Sequence, residues 1–396
     1  MKFYIHSTLS STFAWAGNIY DLVLVTYVYS EIEKAYNIGL LYVSLLFSLG
    51  LIGRFFGGTY FGNISDKIGR KPVLIISTAG YAIFSGIMAF SPLVIILFLS
   101  RLIQGIFMGG EWASGTVLAY EFSPKNITGT IVGIVQSGYG IGYALTGLTY
   151  VLFLSTITVN WRLFLFTGFI PIMIIPYAFL KIPRENIIKS REKIPIKNYA
   201  KDLIKITIIM SGMFGAYFSI FSYYPTIAPL YGIKQSYIGL LMIIANIVLA
   251  FSFILFGKLS HKINKKLLII IATIILMFAA FLSMPFIAKI FNFSVIGILL
   301  YSFGAGDWTL IPLLLIEKVP ERVRGALSGT SYNLGALIGG FISLIIGFFE
   351  TFLGYSIKLL LLIDIITFIS LVAVLLTIIS WDNKVKGEGV NKIEVN

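Results

Sequence analysis

The chain has no cysteine and only two histidines in 396 residues. The first absence excludes disulfides, thiolate nucleophiles and thiolate metal sites. His6 and His261 are too few and too far apart to seed a histidine cluster, so neither a metal nor another cofactor is expected. Charge is scarce as well. Asp, Glu, Lys and Arg make up 12% of the residues, against roughly a quarter in a soluble globular domain. What fills the chain instead is hydrophobic: 58% of positions, gathered into runs of about 18–25 residues, each long enough to cross a hydrocarbon core of about 30 Å as a helix. The runs are too many and too evenly spread for one to be only a signal sequence, and no small-residue cleavage site follows the first. The composition therefore describes an all-α membrane protein in a cell membrane, crossing the lipid bilayer many times.

A net charge of +13 raises the possibility of a nucleic-acid partner, but the placement of the charge excludes it. About 23 of the 30 basic residues fall at the termini and in alternate connections, most of them in clusters around Lys67–Lys71, Lys181–Lys205 and Lys258–Lys266, while Lys34, Arg162, Lys234, Lys289 and Lys358 fall in the others. That bias is the positive-inside pattern, and it puts both termini in the cytoplasm. Twelve spans are expected, near 12–30, 40–61, 72–91, 93–118, 129–153 and 163–181, then 206–227, 236–257, 267–288, 293–316, 326–349 and 357–380. The polar stretch 183–201 is the natural linker between an N-terminal six-helix bundle (1–182) and a C-terminal one (202–381), with a tail at 382–396.

The two halves carry the same landmarks. Gly62-Asn-Ile-Ser-Asp66-Lys-Ile-Gly69-Arg70-Lys71 is echoed about 195 residues later by Gly257-Lys-Leu-Ser-His261-Lys-Ile-Asn-Lys265-Lys266. Gly109-Gly110-Glu111-Trp112 is matched by Ala305-Gly306-Asp307-Trp308, and Glu121-Phe-Ser-Pro124 by Glu317-Lys-Val-Pro320. A nearly constant offset across several landmarks signals tandem repetition. Six spans per unit start both copies from the same side, giving parallel repeats with a site between them, the architecture of carriers.

At these residues the chain resembles the major facilitator superfamily of transporters. Gly62-x-x-x-Asp66-Lys-x-Gly69-Arg70-Lys71 is similar to that family's loop 2–3 motif, and Arg101-x-x-Gln104-Gly105 to its span-four motif. Gly-Gly-Glu-Trp, Gln136-Ser-Gly-Tyr and Trp161-Arg162-Leu-Phe resemble its proton-coupled metabolite and sialate/monocarboxylate symporters. The chain departs from the family pattern at Thr128, where arginine is usual, and at His261 and Asn264 in the second copy of the loop motif.

Single residues follow from depth. Asp21, about ten residues into the first span, lies about 15 Å deep. A carboxylate there is costly and must face a cavity or a partner, which suits it to proton coupling or substrate contact. Arg101 in span four is about 12 Å deep, and its planar guanidinium can hold a carboxylate bidentately or pair with Asp21. Arg54 reads as a structural cation snorkelling towards the loop motif. Gln136 and Asn333 sit near mid-depth, as do Tyr139, Tyr217 and Tyr332, where lining a cavity and bonding helix to helix are equally open readings. Gly62, Asp66, Gly69, Arg70, Glu121, Glu317 and Arg324, with Glu111 and Asp307, are expected to form an inner gate that closes the cytoplasmic mouth.

The expected activity is secondary active transport by rocking of the two halves, with a small organic acid or related polar metabolite and a proton as partners, and with the chain acting as a monomer. A sugar porter or an efflux antiporter of the same family are the alternatives. Against antiport, no proline occurs between Pro124 and Pro171, where such antiporters carry a Gly-Pro motif. An enzyme is not expected, since no helix presents a nucleophile–base or metal constellation.

Overall fold

The computed structural model describes residues 3–183, 196–231, 233–283, 291–354 and 356–382. Helices account for nearly all of them, and no strand occurs among the described residues. This follows from the solvent: a backbone that crosses lipid must satisfy its own N–H and C=O groups, and the helix does so locally. Six long helices form the first half: α1 Phe3–Leu24, α2 Leu40–Ile68, α3 Arg70–Ala89, α4 Val94–Phe122, α5 Thr128–Phe153 and α6 Ile157–Lys181. Six more form the second: α7 Ala200–Phe221, α8 Gln235–Leu259, α9 Lys265–Ser283, α10, α11 Glu321–Leu353 and α12 Ile357–Ile379. Within α10, the stretches Phe291–Gly304 and Leu310–Ile316 are α-helical and the turn Ala305–Thr309 between them is 3₁₀. The linker residues 184–195 and the tail 383–396 lie outside the described residues.

Eleven helices are long and apolar enough to cross a membrane by composition alone. The twelfth is α1, and it begins at Phe3 rather than near residue 12. Its first turns carry Ser7, Thr8, Ser10, Ser11 and Thr12, which lower its hydropathy below the usual threshold for a span. Packing resolves the conflict, because Ser11 Oγ donates to the Gly115 carbonyl at 2.8 Å and Thr12 to the Thr8 carbonyl at 2.8 Å. Hydroxyls buried and bonded in this way cost little even away from water.

The α2–α3 connection is a single residue, Gly69, with φ of 102°, a left-handed conformation in which other residues are strained. The halves meet along two helix crossings. At the first, α2 packs on α11, with Gly62 against Gly325 and Gly58 against Gly329; at the second, α8 packs on α5, with Gly257 against Gly129 and Phe253 against Gly133. A Cβ at any of Gly62, Gly129, Gly257 or Gly329 would strike the facing backbone. Each contact maps onto its counterpart by the repeat offset, so the two crossings are related by an approximate two-fold axis between the halves.

Candidate functional site

Between the crossings lies a box of aromatic rings built from both halves. Trp15 of α1, Trp112 of α4 and Tyr139 of α5 face Phe214 and Tyr217 of α7, Trp308 of α10 and Tyr332 of α11. Trp112 stacks on Tyr332 at 3.8 Å between centroids. Tyr139 meets Trp308 edge-on at 5.5 Å, and Trp15 meets Tyr332 at 5.9 Å. Such rings supply apolar bulk with N–H and O–H handles at their edges. The Nε1 atoms of Trp15, Trp112 and Trp308 are all buried and find no hydrogen-bond partner among the described residues.

Arg54 of α2 reaches into this box. It is 2% exposed, and its guanidinium carbon lies 5.1 Å from the centre of the Trp15 ring, within cation–π range. Its one hydrogen bond among the described residues runs from Nε to Asn333 Oδ1 of α11, at 3.3 Å. The two Nη groups make none, and no carboxylate forms an ion pair with it there. A buried cation without a counter-ion is costly unless something anionic arrives to meet it. Gln136 Nε2 donates to Tyr332 Oη at 3.2 Å, so Gln136 and Asn333, both named from sequence, contribute to the contact between the halves beside Arg54.

Asp21 and Arg101 are neighbours but not an ion pair. Ser85 Oγ of α3 donates to Asp21 Oδ1 at 2.9 Å, and the carboxyl is wedged against Gly168 of α6, where a Cβ would collide with it. Gln104 is close by but makes no hydrogen bond to Oδ2. Arg101, fully buried, spends its donors on the fold. Nε reaches the Leu46 carbonyl at 3.0 Å, Nη2 the Leu22 carbonyl at 2.7 Å, and Nη1 the Asp21 carbonyl at 3.2 Å and Gln104 Oε1 at 2.7 Å. It ties α4 to α1 and α2.

The lysine-rich end of the α2–α11 crossing holds a cluster of charges. Asp66 pairs with Arg70 and accepts the peptide N–H groups of Gly325 and Ala326 at 2.9 and 2.8 Å, in the second turn of α11. The helix dipole favours a carboxylate near this end. Arg70 also contacts Glu121 at 3.3 Å and the Glu321 carbonyl at 2.7 Å, and Arg324 contacts Glu121 at 3.4 Å. At the other crossing His261 occupies the place of Asp66: its Nε2 accepts the Thr130 N–H of α5 at 3.3 Å. Burial and the nearby Lys265 hold the His261 imidazole below its ordinary pKa, which favours the neutral form that can accept.

Three residues expected in this cluster are elsewhere. Glu317 pairs with Lys265 at 3.0 Å. Glu111 is buried higher in α4 and accepts from Asn18 Nδ2 at 2.7 Å. Asp307 is fully buried in the 3₁₀ turn of α10. The reason is register: both acids lie a further two to three helical turns from the loop than Glu121 and Glu317 do. Arg54 differs too. The expected span ended at 61, but α2 runs to Ile68, which moves Arg54 from about 10 Å to about 20 Å from the helix end.

The family description Major Facilitator Superfamily matches residues 8–344. Among relatives, the chain is 26% identical over 341 residues to the sialic acid transporter NanX of Escherichia coli (strain K12), covering 82% of this chain and 83% of the relative. It is 21% identical over 401 residues to the niacin transporter NiaP of Acinetobacter baylyi, covering 87% and 89%. The structure of the proton:xylose symporter XylE bound to 6-bromo-6-deoxy-D-glucose superposes with a TM-score of 0.76 at 16% identity, covering 95% of this chain and 94% of that one; at that identity the likeness speaks for the fold.

Proposed function

Since the chain belongs to the major facilitator superfamily, and is a multi-pass membrane transporter rather than an enzyme, we propose that it carries a small organic acid by proton-linked symport. In this reading Arg54 is the anchor for the substrate carboxylate. The observation that carries it is a buried guanidinium with both Nη groups unused, set between the halves in a box whose indole N–H groups are also unused. Guanidinium and carboxylate match geometrically through two parallel hydrogen bonds. The unused indole N–H groups and the unused Tyr217 hydroxyl can all donate, which suits an anion, and the ring faces suit an apolar or cyclic body. Relatives named for sialic acid and niacin support an acid as cargo.

Asp21 is the coupling acid. It lies inside the first half, and among the described residues its one side-chain hydrogen bond comes from a serine hydroxyl. A carboxyl so sparsely bonded can take up or release a proton when water reaches it, whereas Arg101 is committed to backbone carbonyls. Rocking about the two glycine-lined crossings opens the box to one side at a time. The Asp66–Arg70–Glu121–Arg324 cluster and the His261–Thr130 contact close the lysine-rich end, which is the cytoplasmic end, with both termini there. An efflux antiporter is disfavoured by the unbroken α5, and a sugar porter by the unpaired cation in the box.

Binding tests the anchor. Intrinsic tryptophan fluorescence, to which Trp15, Trp112 and Trp308 of the box contribute three of the five indoles, is titrated with monocarboxylates and neutral sugars on wild type and Arg54→Gln. A charge-assisted hydrogen bond contributes about 1.5–3 kcal/mol, so Arg54→Gln weakens acid binding by about tenfold to a hundredfold. Sugar binding with no response to acids, or unchanged acid affinity in Arg54→Gln, overturns the reading.

A further inference from the structure

The repeat places Asp307 of α10 where Glu111 stands in α4, yet the two acids live differently. Glu111 accepts from Asn18 and lies in the field of Arg54. Asp307 is 0% exposed and neither carboxyl oxygen makes a hydrogen bond or ion pair with any described residue. The repeat offset of 195 to 196 residues sets Met213 or Phe214 against Asn18, and neither can serve as a donor.

The backbone differs as well. In α4 the matching stretch is unbroken α-helix, but α10 tightens to 3₁₀ over Ala305–Thr309, with Asp307 at its centre. A 3₁₀ stretch inside a long helix marks a hinge. The next residue, Trp308, forms a wall of the aromatic box against Tyr139, Tyr217 and Phe214. The titratable groups around this turn at its own depth are Tyr301 on α10, Tyr217 on α7 and Tyr139 on α5, none of them a cation. The charges of the elements packed on it are remote: Lys258 of α8 and Lys265 and Lys266 of α9 lie at the lysine-rich end, as do Lys201, Lys205 and Asp202 of α7. Asp202 is paired with Lys318, and Lys265 with Glu317. Asp307 is ten residues, about 15 Å, in from the Glu317 end of α10.

We propose that Asp307 is a second proton-carrying group of the transporter, serving the C-terminal half as Asp21 serves the N-terminal one. It rests on the proton-linked reading above. No cation or side-chain donor among the described residues meets its carboxyl oxygens, so a negative charge there is costly while the site stays dry, and the group suits a proton carrier. When the halves rock and water reaches the hinge, the proton leaves to solvent and the carboxylate is hydrated. The α10 hinge carries Trp308 with it, linking the protonation of Asp307 to the shape of the box.

The proton-to-substrate stoichiometry is measured from reversal potentials in proteoliposomes holding wild type, Asp307→Asn or Asp21→Asn, with a labelled monocarboxylate as substrate. Asp307→Asn is expected to lower the wild-type value by one proton and flatten the pH profile of uptake, while keeping substrate affinity within about twofold. Wild-type stoichiometry and pH profile in a folded Asp307→Asn overturn the proposal and leave the proton-linked reading standing. A wild type that moves no proton overturns both. Should Asp307→Asn fail to fold, Asp307→Glu decides: infrared difference spectra on substrate addition are expected to show a carboxylic-acid carbonyl band that shifts in that variant, and an unshifted band overturns the assignment.

Discussion

Residue by residue, the buried acids Asp21, Glu111 and Asp307 and the buried arginines Arg54 and Arg101 have partners that set their work apart. Arg101 saturates its fork on carbonyls of α1 and α2, so replacing it unties three helices rather than emptying a ligand site. Arg101→Lys keeps one charge but loses most of those bonds. It is expected to lower thermal stability by about 2 kcal/mol or more, with the substrate affinity of the folded fraction within about twofold of wild type. A stable Arg101→Lys protein with a tenfold loss of affinity would return that residue to the substrate. Asp21→Asn keeps the size and the Ser85 contact but cannot exchange a proton. It is expected to abolish uphill accumulation under a pH gradient and to spare exchange of labelled for unlabelled substrate; persistent accumulation removes Asp21 as the coupling group. The sequence singled out Asp21 because a lone acid at mid-depth is conspicuous. It undervalued Arg54 because depth was counted from a helix end placed too early, and a cation near a loop reads as snorkelling. Three unsatisfied indoles are invisible to sequence, since tryptophan in a span usually serves as bulk.

Among elements, the glycines at the two crossings explain how four helices come close enough for charge clusters to lock them. At Gly129 and Gly257 any side chain meets backbone. Gly257→Val is therefore expected to part α5 from α8 at the lysine-rich end and to favour the state open there. The absence of cysteine makes this measurable without background: a single cysteine at Ser65, buried beneath the Asp66 cluster, should react with a membrane-impermeant maleimide several-fold faster in the Gly257→Val background. Equal rates would show that the crossings do not control that end. His261 adds a pH response on the same readout. Burial and Lys265 lower its pKa in this closed state, so the closed state binds fewer protons than one in which His261 is hydrated, and the contact is kept above the ordinary histidine pKa of about 6.5. As pH falls through that value the contact weakens, and Ser65→Cys labelling should rise relative to the same variant carrying His261→Gln. Parallel profiles would deny His261 that part. Helix α1 is the complementary case: the hydroxyls of its first turns depress its hydropathy, yet they are buried, three bonding carbonyls of their own helix and Ser11 bonding α4, and burial is revealed only by packing.

Across the whole molecule, the duplicated six-helix unit was readable before any coordinates, because apolar run lengths count the spans and motifs at one constant offset superpose the halves. The asymmetries were not readable in the same way. His261 for Asp66 and Met213 or Phe214 for Asn18 are visible as letters, but what they do depends on which helix lies opposite. The transport cycle drawn from this architecture needs both halves: a substrate carboxylate bridging from Arg54 towards the α10 and α11 walls, and protons carried on acids set back within each bundle. Its most direct test is uptake of a labelled monocarboxylate into proteoliposomes under an imposed inward proton gradient, with wild type and Arg54→Gln side by side. Wild type is expected to accumulate substrate above the external concentration, an accumulation abolished by a protonophore, and Arg54→Gln to accumulate none. Equal accumulation by the two proteins, or wild-type uptake indifferent to the gradient, would contradict it.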